Sequence, residues 1–127
     1  MSMEQLFSIS QLASMFDISS RTIRYYEEMG MLNSEMRDSL TQQRSYTNKE
    51  RRRLKLILRG KKLGFSLQEI KEMIELYEFN PEGDEEKKRI IELADRKLQE
   101  LDEQILQLQM LKADILIHKE RYLQKNN

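Results

Sequence analysis

At 127 residues the chain has room for one compact domain and an extension, not for two full domains. Its 22 basic and 22 acidic residues cancel to a formal charge of zero, and the absence of cysteine excludes disulfides, thiolate metal sites and cysteine nucleophiles together. No stretch approaches the roughly 20 apolar residues that span a bilayer, and Met1 to Phe7 lacks the basic region and apolar run of a signal peptide, so no membrane association is expected and a cytoplasmic location fits.

Four glycines and one proline, in a chain rich in Leu, Ile, Glu, Lys, Gln and Arg, favour helix throughout. Helix starts are marked by Ser or Thr with Gln or Glu three residues on, because the hydroxyl caps a free N–H and the later side chain reaches back. Ser8 with Gln11 predicts a first helix through about Phe16. Only a tight turn at Asp17-Ile18 fits before Ser19, which caps a second helix ending near Met29. Two short helices, a tight turn and a polar second helix make a helix-turn-helix. Leu12, Ala13 and Phe16 face one way on the first helix. Ile23 and Tyr26 face inward on the second, leaving Arg21, Arg24, Tyr25 and Glu28 outward. Gly30 sits where a left-handed residue would close that helix.

Asn33 to Tyr46 is polar and poorly periodic, and reads as a loop or short hairpin, a wing. Thr47 with Glu50 opens a third helix through about Leu63, closed by Gly64. Ser66 with Glu69 opens a fourth through about Leu76, with Phe65 and Ile70 spaced as a hydrophobic staple. From Arg44 to Lys62 nine basic residues meet a single acid, Glu50, while the tail from Tyr77 onward is net acidic. Charge segregated this way suits phosphate binding at one end of a neutral chain. A solvated helix face explains the same run as well.

Phe79 to Asp84, with Pro81 and Gly83, is a break. Asp84, Glu85 and Glu86 then place negative charge at the start of the last helix, where the dipole favours it. That helix runs from about Asp84 to Leu123, roughly 60 Å at 1.5 Å per residue. Ile91, Ala94, Leu98, Leu101, Ile105 and Leu108 step by three and four and form a coiled-coil seam, which continues to Ile115 after Lys112 and drifts toward Leu111 and His118. A single helix cannot bury this seam by itself, and a second copy is the simplest partner. The expected organisation is a head over residues 1–76, a linker over 77–83 and a dimerising helix over 84–127. A nucleophile–base pair, a metal-ligand cluster and a phosphate-cradling glycine loop are all missing from the sequence, so neither catalysis nor a metal or cofactor is expected. His118 is the only histidine, where at least three ligands are usual for a metal.

With these elements in order, the chain resembles the MerR family of bacterial regulators. Phe7-Ser8-Ile9 leads into Gln11-Leu12-Ala13, Ser19-Ser20-Arg21-Thr22-Ile23-Arg24-Tyr25-Tyr26-Glu27 looks like the family's recognition helix, and Gly30-Met31-Leu32 follows it. Arg44-Ser45-Tyr46-Thr47 looks like the end of the first wing, and Leu63-Gly64-Phe65-Ser66-Leu67-Gln68-Glu69-Ile70 like the second. Gln42-Gln43-Arg44 and the run from Leu54 to Leu67 are similar to regulators of branched-chain amino-acid and fatty-acid degradation genes. The resemblance implies a mainly α fold, a winged helix-turn-helix head with a long helix forming an antiparallel coiled-coil dimer. It implies a homodimer that bends and untwists a palindromic promoter site on double-stranded DNA, acting on RNA polymerase indirectly and in response to a small effector. Ser19, Arg21, Thr22, Arg24 and Tyr25 would meet the major groove and its phosphates, Arg44 and Tyr46 the backbone from the first wing, and Lys61 and Lys62 phosphate near the second. Of the basic stripe Arg51, Lys55, Arg59 and Lys62, only part would touch DNA. Met73, Leu76, Tyr77 and Phe79 lie near where the family's effectors bind, although packing against a partner's long helix is the better explanation of the cluster. The chain departs from the family in lacking its sensor cysteines, a glycine before the first wing's Arg-x-Tyr, and a drug-binding domain after the coiled coil. Two other readings stand beside it: an excisionase-like architectural DNA-binding protein, which the long helix disfavours, and a coiled-coil interaction module, which a salt-titrated gel shift would separate.

Overall fold

The computed structural model describes residues 5–38 and 43–125, with the backbone alone at 36–38. The chain divides into two compact units, Met1–Asn80 and Pro81–Asn127. The first holds β1 (Leu6–Ser8), α1 (Ile9–Phe16), α2 (Ser20–Glu28), β2 (Glu35–Asp38), β3 (Gln43–Thr47), α3 (Asn48–Lys62) and α4 (Leu67–Phe79). The second is α5 (Asp84–Lys125).

The helices start where the caps predict. At α1 the Ser8 hydroxyl accepts the Gln11 N–H at 3.0 Å while the Gln11 side-chain Oε1 accepts the Ser8 N–H at 2.8 Å. At α4, Ser66 and Glu69 repeat the exchange at 3.1 and 2.8 Å. The α3 start differs. Thr47 accepts the Glu50 N–H at 3.4 Å, but the Glu50 carboxylate does not reach back; it is buried and accepts the Asn33 N–H at 3.1 Å, tying the chain after α2 to α3. Asp17 turns the chain out of α1 in the left-handed region at φ 54°, and its N–H meets the Ala13 and Ser14 carbonyls, so α2 begins after three residues. Gly30 and Gly64 take φ 75° and 89° at the ends of α2 and α3, where a side chain would be strained.

The sheet is larger than a wing alone. Its order is β1-β3-β2, all antiparallel. The hairpin β2–β3 is the wing, with a bulge between Met36 and Asp38, and its tip at residues 39–42 lies outside the described residues. β1 was not expected. It sets Phe7 opposite Tyr46, and both rings are buried.

The core of this unit gathers Leu12, Ile23, Leu32, Leu54, Ile57 and Ile70, each essentially without exposed surface. Gly60 lets α3 and α4 touch: a Cβ there would stand 2.7 Å from Cγ1 of the buried Ile70. A second tie links the same helices. Arg53 donates from Nε to both oxygens of Glu78 at 2.8 and 2.9 Å and from Nη1 to the Met31 carbonyl at 3.2 Å. This residue, counted in the sequence as one more surface cation, is half-buried and structural. The hydrogen bond from Arg53 holds the Glu78 carboxyl below its usual range, against a smaller opposing effect of burial, and the charges of Arg53, Lys49 and Arg52 add to it.

A depressed carboxylate stabilises the fold above its unfolded pKa, and that contribution disappears as pH falls through the folded value. Glu78→Gln is therefore expected to cost about 1.5–3 kcal/mol near neutrality, some ten degrees of melting temperature for a head of this size at ~4–8 °C per kcal/mol. The variant should also lose less stability than the native chain between pH 5 and pH 2. Parallel acid-denaturation curves for the two would contradict this role.

α4 runs to Phe79, three residues past the expected end at Leu76, so Tyr77 to Phe79 are helical and not linker. Pro81 explains the stop: it holds Asn80 out of the helical region, at φ −157° and ψ 86°. α5 then spans 42 residues from an acidic first turn of Asp84, Glu85 and Glu86. Along it Ile91, Leu98, Leu101, Ile105, Leu108 and Ile115 are exposed, and only Ala94 of the seam is half-buried. Every described residue from Leu101 onward is exposed, apolar ones included.

Candidate nucleic-acid interface

Period 3.6 sorts the nine residues of α2 into two faces. Ile23 and Tyr26 are buried; Arg21, Arg24, Tyr25 and Glu28 are exposed. The Tyr25 and Tyr26 rings meet at a tilted 53° with centroids 5.8 Å apart, so the exposed ring is braced by the buried one. Burial, then the neighbouring Tyr25, raises the Tyr26 pKa. At the helix start Ser19 accepts the Thr22 N–H at 3.1 Å, and the two hydroxyls bond at 2.9 Å. Both are thus partly engaged, yet they leave the first turn of α2 free of acidic residues. An uncompensated helix N-terminus with Arg21 and Arg24 exposed beside it favours an anion in front.

Arg24 also lines a cleft of about 860 Å³ with Arg44 and Gln43 of β3 and Ser8 to Gln11 at the head of α1. Helix α2, the wing and the start of α1 therefore share one concave surface. Arg44 is fixed there by Glu27, whose Oε2 accepts from Nη1 at 2.6 Å. Glu27, on the same helix as Arg21 and Arg24, is thereby paired with the wing. Gln11, Gln43 and Glu27 are the residues that sequence reasoning left out of the interface. The Ser8–Gln11 cap was the signal for the first. The others are placed by strand pairing and by a contact across 17 positions.

Tyr46 is corrected. It was expected on DNA from the first wing, but its relative exposure is 0 %. On β3 both Ser45 and Tyr46 are buried, because β1 pairs with this end of the strand. Among the described residues the buried Tyr46 hydroxyl and Oε1 of Glu27 have no hydrogen-bond partner. Burial, then the Glu27 carboxylate, pushes the Tyr46 phenol well above the ordinary value, with Arg44 opposing. The ring anchors the wing to the head and leaves Arg44 of the same strand exposed.

Lys61 and Lys62 are exposed in the last turn of α3 with Arg59. Cations there also complement the helix C-terminus. They stand at the α3–α4 corner and do not line the Arg24–Arg44 cleft. Of the four residues marked for an effector, Met73 packs against the core, Leu76 is half-buried, and Tyr77 and Phe79 are exposed, so they do not share one setting.

The model of the MerR HTH family regulatory protein matches residues 7–76, and that described as MerR, DNA binding, matches residues 51–116. The chain is similar to the HTH-type transcriptional regulator ZntR of Escherichia coli K12, 34% identical over 112 residues, which cover 87% of this chain and 76% of ZntR. It is similar to the crystal structure of HiNmlR, a MerR family regulator lacking the sensor domain, bound to promoter DNA. That likeness has 27% identity and a TM-score of 0.57, over 83% of this chain and 76% of the other. A MerR family transcriptional regulator from Bacillus cereus gives 28% identity and a TM-score of 0.59, over 92% and 79% of the two chains. With a family model matching residues 7–76, and ZntR 34% identical over 87% of this chain, the protein belongs to the MerR family of regulators.

Proposed function

We propose that the protein is a transcription regulator that binds a palindromic promoter site as a homodimer and bends and untwists it, affecting RNA polymerase through the DNA. The observation that carries this reading is the arrangement at α2. The α2 start is free of acid, Arg21, Arg24 and Tyr25 are exposed along the helix, and Arg24 shares a cleft with the wing's Arg44, itself held by Glu27. Arg24 and Arg44 are suited to phosphate or guanine, Tyr25 to the sugar-phosphate edge, and Ser19 and Thr22 to nearby phosphate once their mutual bond opens. Lys61 and Lys62 add phosphate contacts at the second wing. HiNmlR, a MerR family regulator bound to promoter DNA, supports reading this chain as a DNA-binding regulator.

In this reading the exposed seam of α5, from Ile91 through Ala94, Leu98, Leu101, Ile105 and Leu108 to Ile115, pairs antiparallel with that of a second copy. Two heads then meet two half-sites. Bending the duplex costs several kcal/mol, offset by wing and helix contacts, and a small effector acting at the end of α4 shifts the population between two head arrangements. A gel shift on a duplex selected by the protein from a random library tests this. Affinity should fall about a thousandfold or more between 50 and 200 mM salt, the mark of six to ten phosphate contacts. Salt-independent binding, or none, would refute it.

A further inference from the structure

α3 carries a second row of cations that the DNA-binding reading leaves unused. A groove of about 490 Å³ runs between α3 and the end of α4, within the first unit. Six cations line it, Lys49, Arg51, Arg52, Arg53, Lys55 and Arg59, against one carboxylate, Glu78. Glu78 is already held by two hydrogen bonds from Arg53 Nε, and Arg51 Nε bonds Asn48 at 2.7 Å. Among the described residues Lys49, Arg52, Lys55 and Arg59 form no salt bridge. A concave wall of one sign focuses the field and raises the local concentration of anions. The rest of the lining is apolar: Leu56, and the ring of Tyr77, which is 56 % exposed. This groove and the Arg24–Arg44 cleft have no lining residue in common.

We infer that the groove is a binding site for a small, multiply charged phosphorylated ligand with a planar or apolar portion, of nucleotide size. The inference rests on the reading of the chain as an effector-responsive regulator, and it gives that effector a chemical class. The volume lies within the ~300–1,000 Å³ of small-molecule sites, several times what a lone phosphate fills. Arginines grip phosphate oxygens in pairs, and Tyr77 offers a face to a ring. A DNA backbone would use the same cations, but has no use for Leu56 and Tyr77.

The test is calorimetric titration of the full chain, without DNA, by ATP and separately by inorganic tripolyphosphate at about 0.15 M salt. ATP should bind one per chain. Lys49→Ala/Arg52→Ala, both at exposed positions, should weaken both anions about tenfold or more. Tyr77→Ala should weaken ATP more than tripolyphosphate. The same Lys49→Ala/Arg52→Ala protein should hold the selected duplex within about twofold of the native chain, well under the tenfold that one lost strong contact costs. Failure of either anion to bind, or equal binding by native and double variant, overturns the groove as a ligand site while duplex binding stands. Loss of duplex affinity with a flatter salt dependence assigns the cations to DNA and also overturns it. A native chain that binds ATP but no duplex refutes the regulator reading and leaves the groove.

Discussion

Leu101→Asp should convert the protein to a monomer at micromolar concentration. Leu101 lies near the middle of the 42-residue α5 and is 40 % exposed in the single chain, flanked along the seam by Leu98 and Ile105. Pairing two such seams buries leucine from both copies, and truncating a buried leucine alone costs about 2–5 kcal/mol. An aspartate adds a charge that must be desolvated among apolar seam side chains. The change enters the dimer twice. Because each head by itself keeps only its own half-site contacts, affinity for a palindrome should fall a hundredfold or more, the gain that linked binding ordinarily supplies at ~10²–10⁴. The core of Met1–Asn80 contains none of the seam residues, so thermal unfolding of the head should keep its midpoint. Light scattering and a gel shift on the same samples give both readouts. A dimer of unchanged stability would refute the seam.

Arg24→Ala is expected to leave the dimer intact and weaken DNA binding about tenfold to a hundredfold, the ~1–3 kcal/mol of a good arginine–base contact. Arg24 is exposed on α2 and lines the cleft with Arg44, and no ion pair within the described residues occupies it. Removing it leaves the core residues Ile23 and Tyr26 in place. The salt dependence tells which contact was lost. A base contact relaxes sequence preference with the slope unchanged, whereas a phosphate contact lowers the slope by about one and weakens all sequences alike. Native affinity in the variant would take Arg24 out of the interface.

What was legible in the sequence is what short-range chemistry decides. The Ser8–Gln11 and Ser66–Glu69 exchanges, the left-handed Gly30 and Gly64, and the split of α2 into Ile23/Tyr26 and Arg21/Arg24/Tyr25 all act within one or two helical turns. The failures come from distance along the chain. β1 is three residues long and exists through its pairing with β3, some forty positions on. That pairing buries Tyr46, which Arg44-Ser45-Tyr46 read locally as a DNA contact. Glu50 satisfied the spacing of a capping box, yet the Asn33 N–H, 17 positions back, took its carboxylate. Arg53 looked like one cation among nine until Glu78, 25 positions away, proved to be its partner. Helix α4 outran its expected end because the apolar pattern ended at Leu76, whereas Pro81 ends the helix.

In the proposed assembly two chains, zipped along α5, bring two basic heads to one duplex. Its most direct test is the mass of the complex formed with a single selected duplex, measured by light scattering alongside the free protein. Two chains per duplex, from a protein already dimeric when free, is the result expected. One chain per duplex, or a monomeric free protein that binds as tightly as the complex, would contradict it.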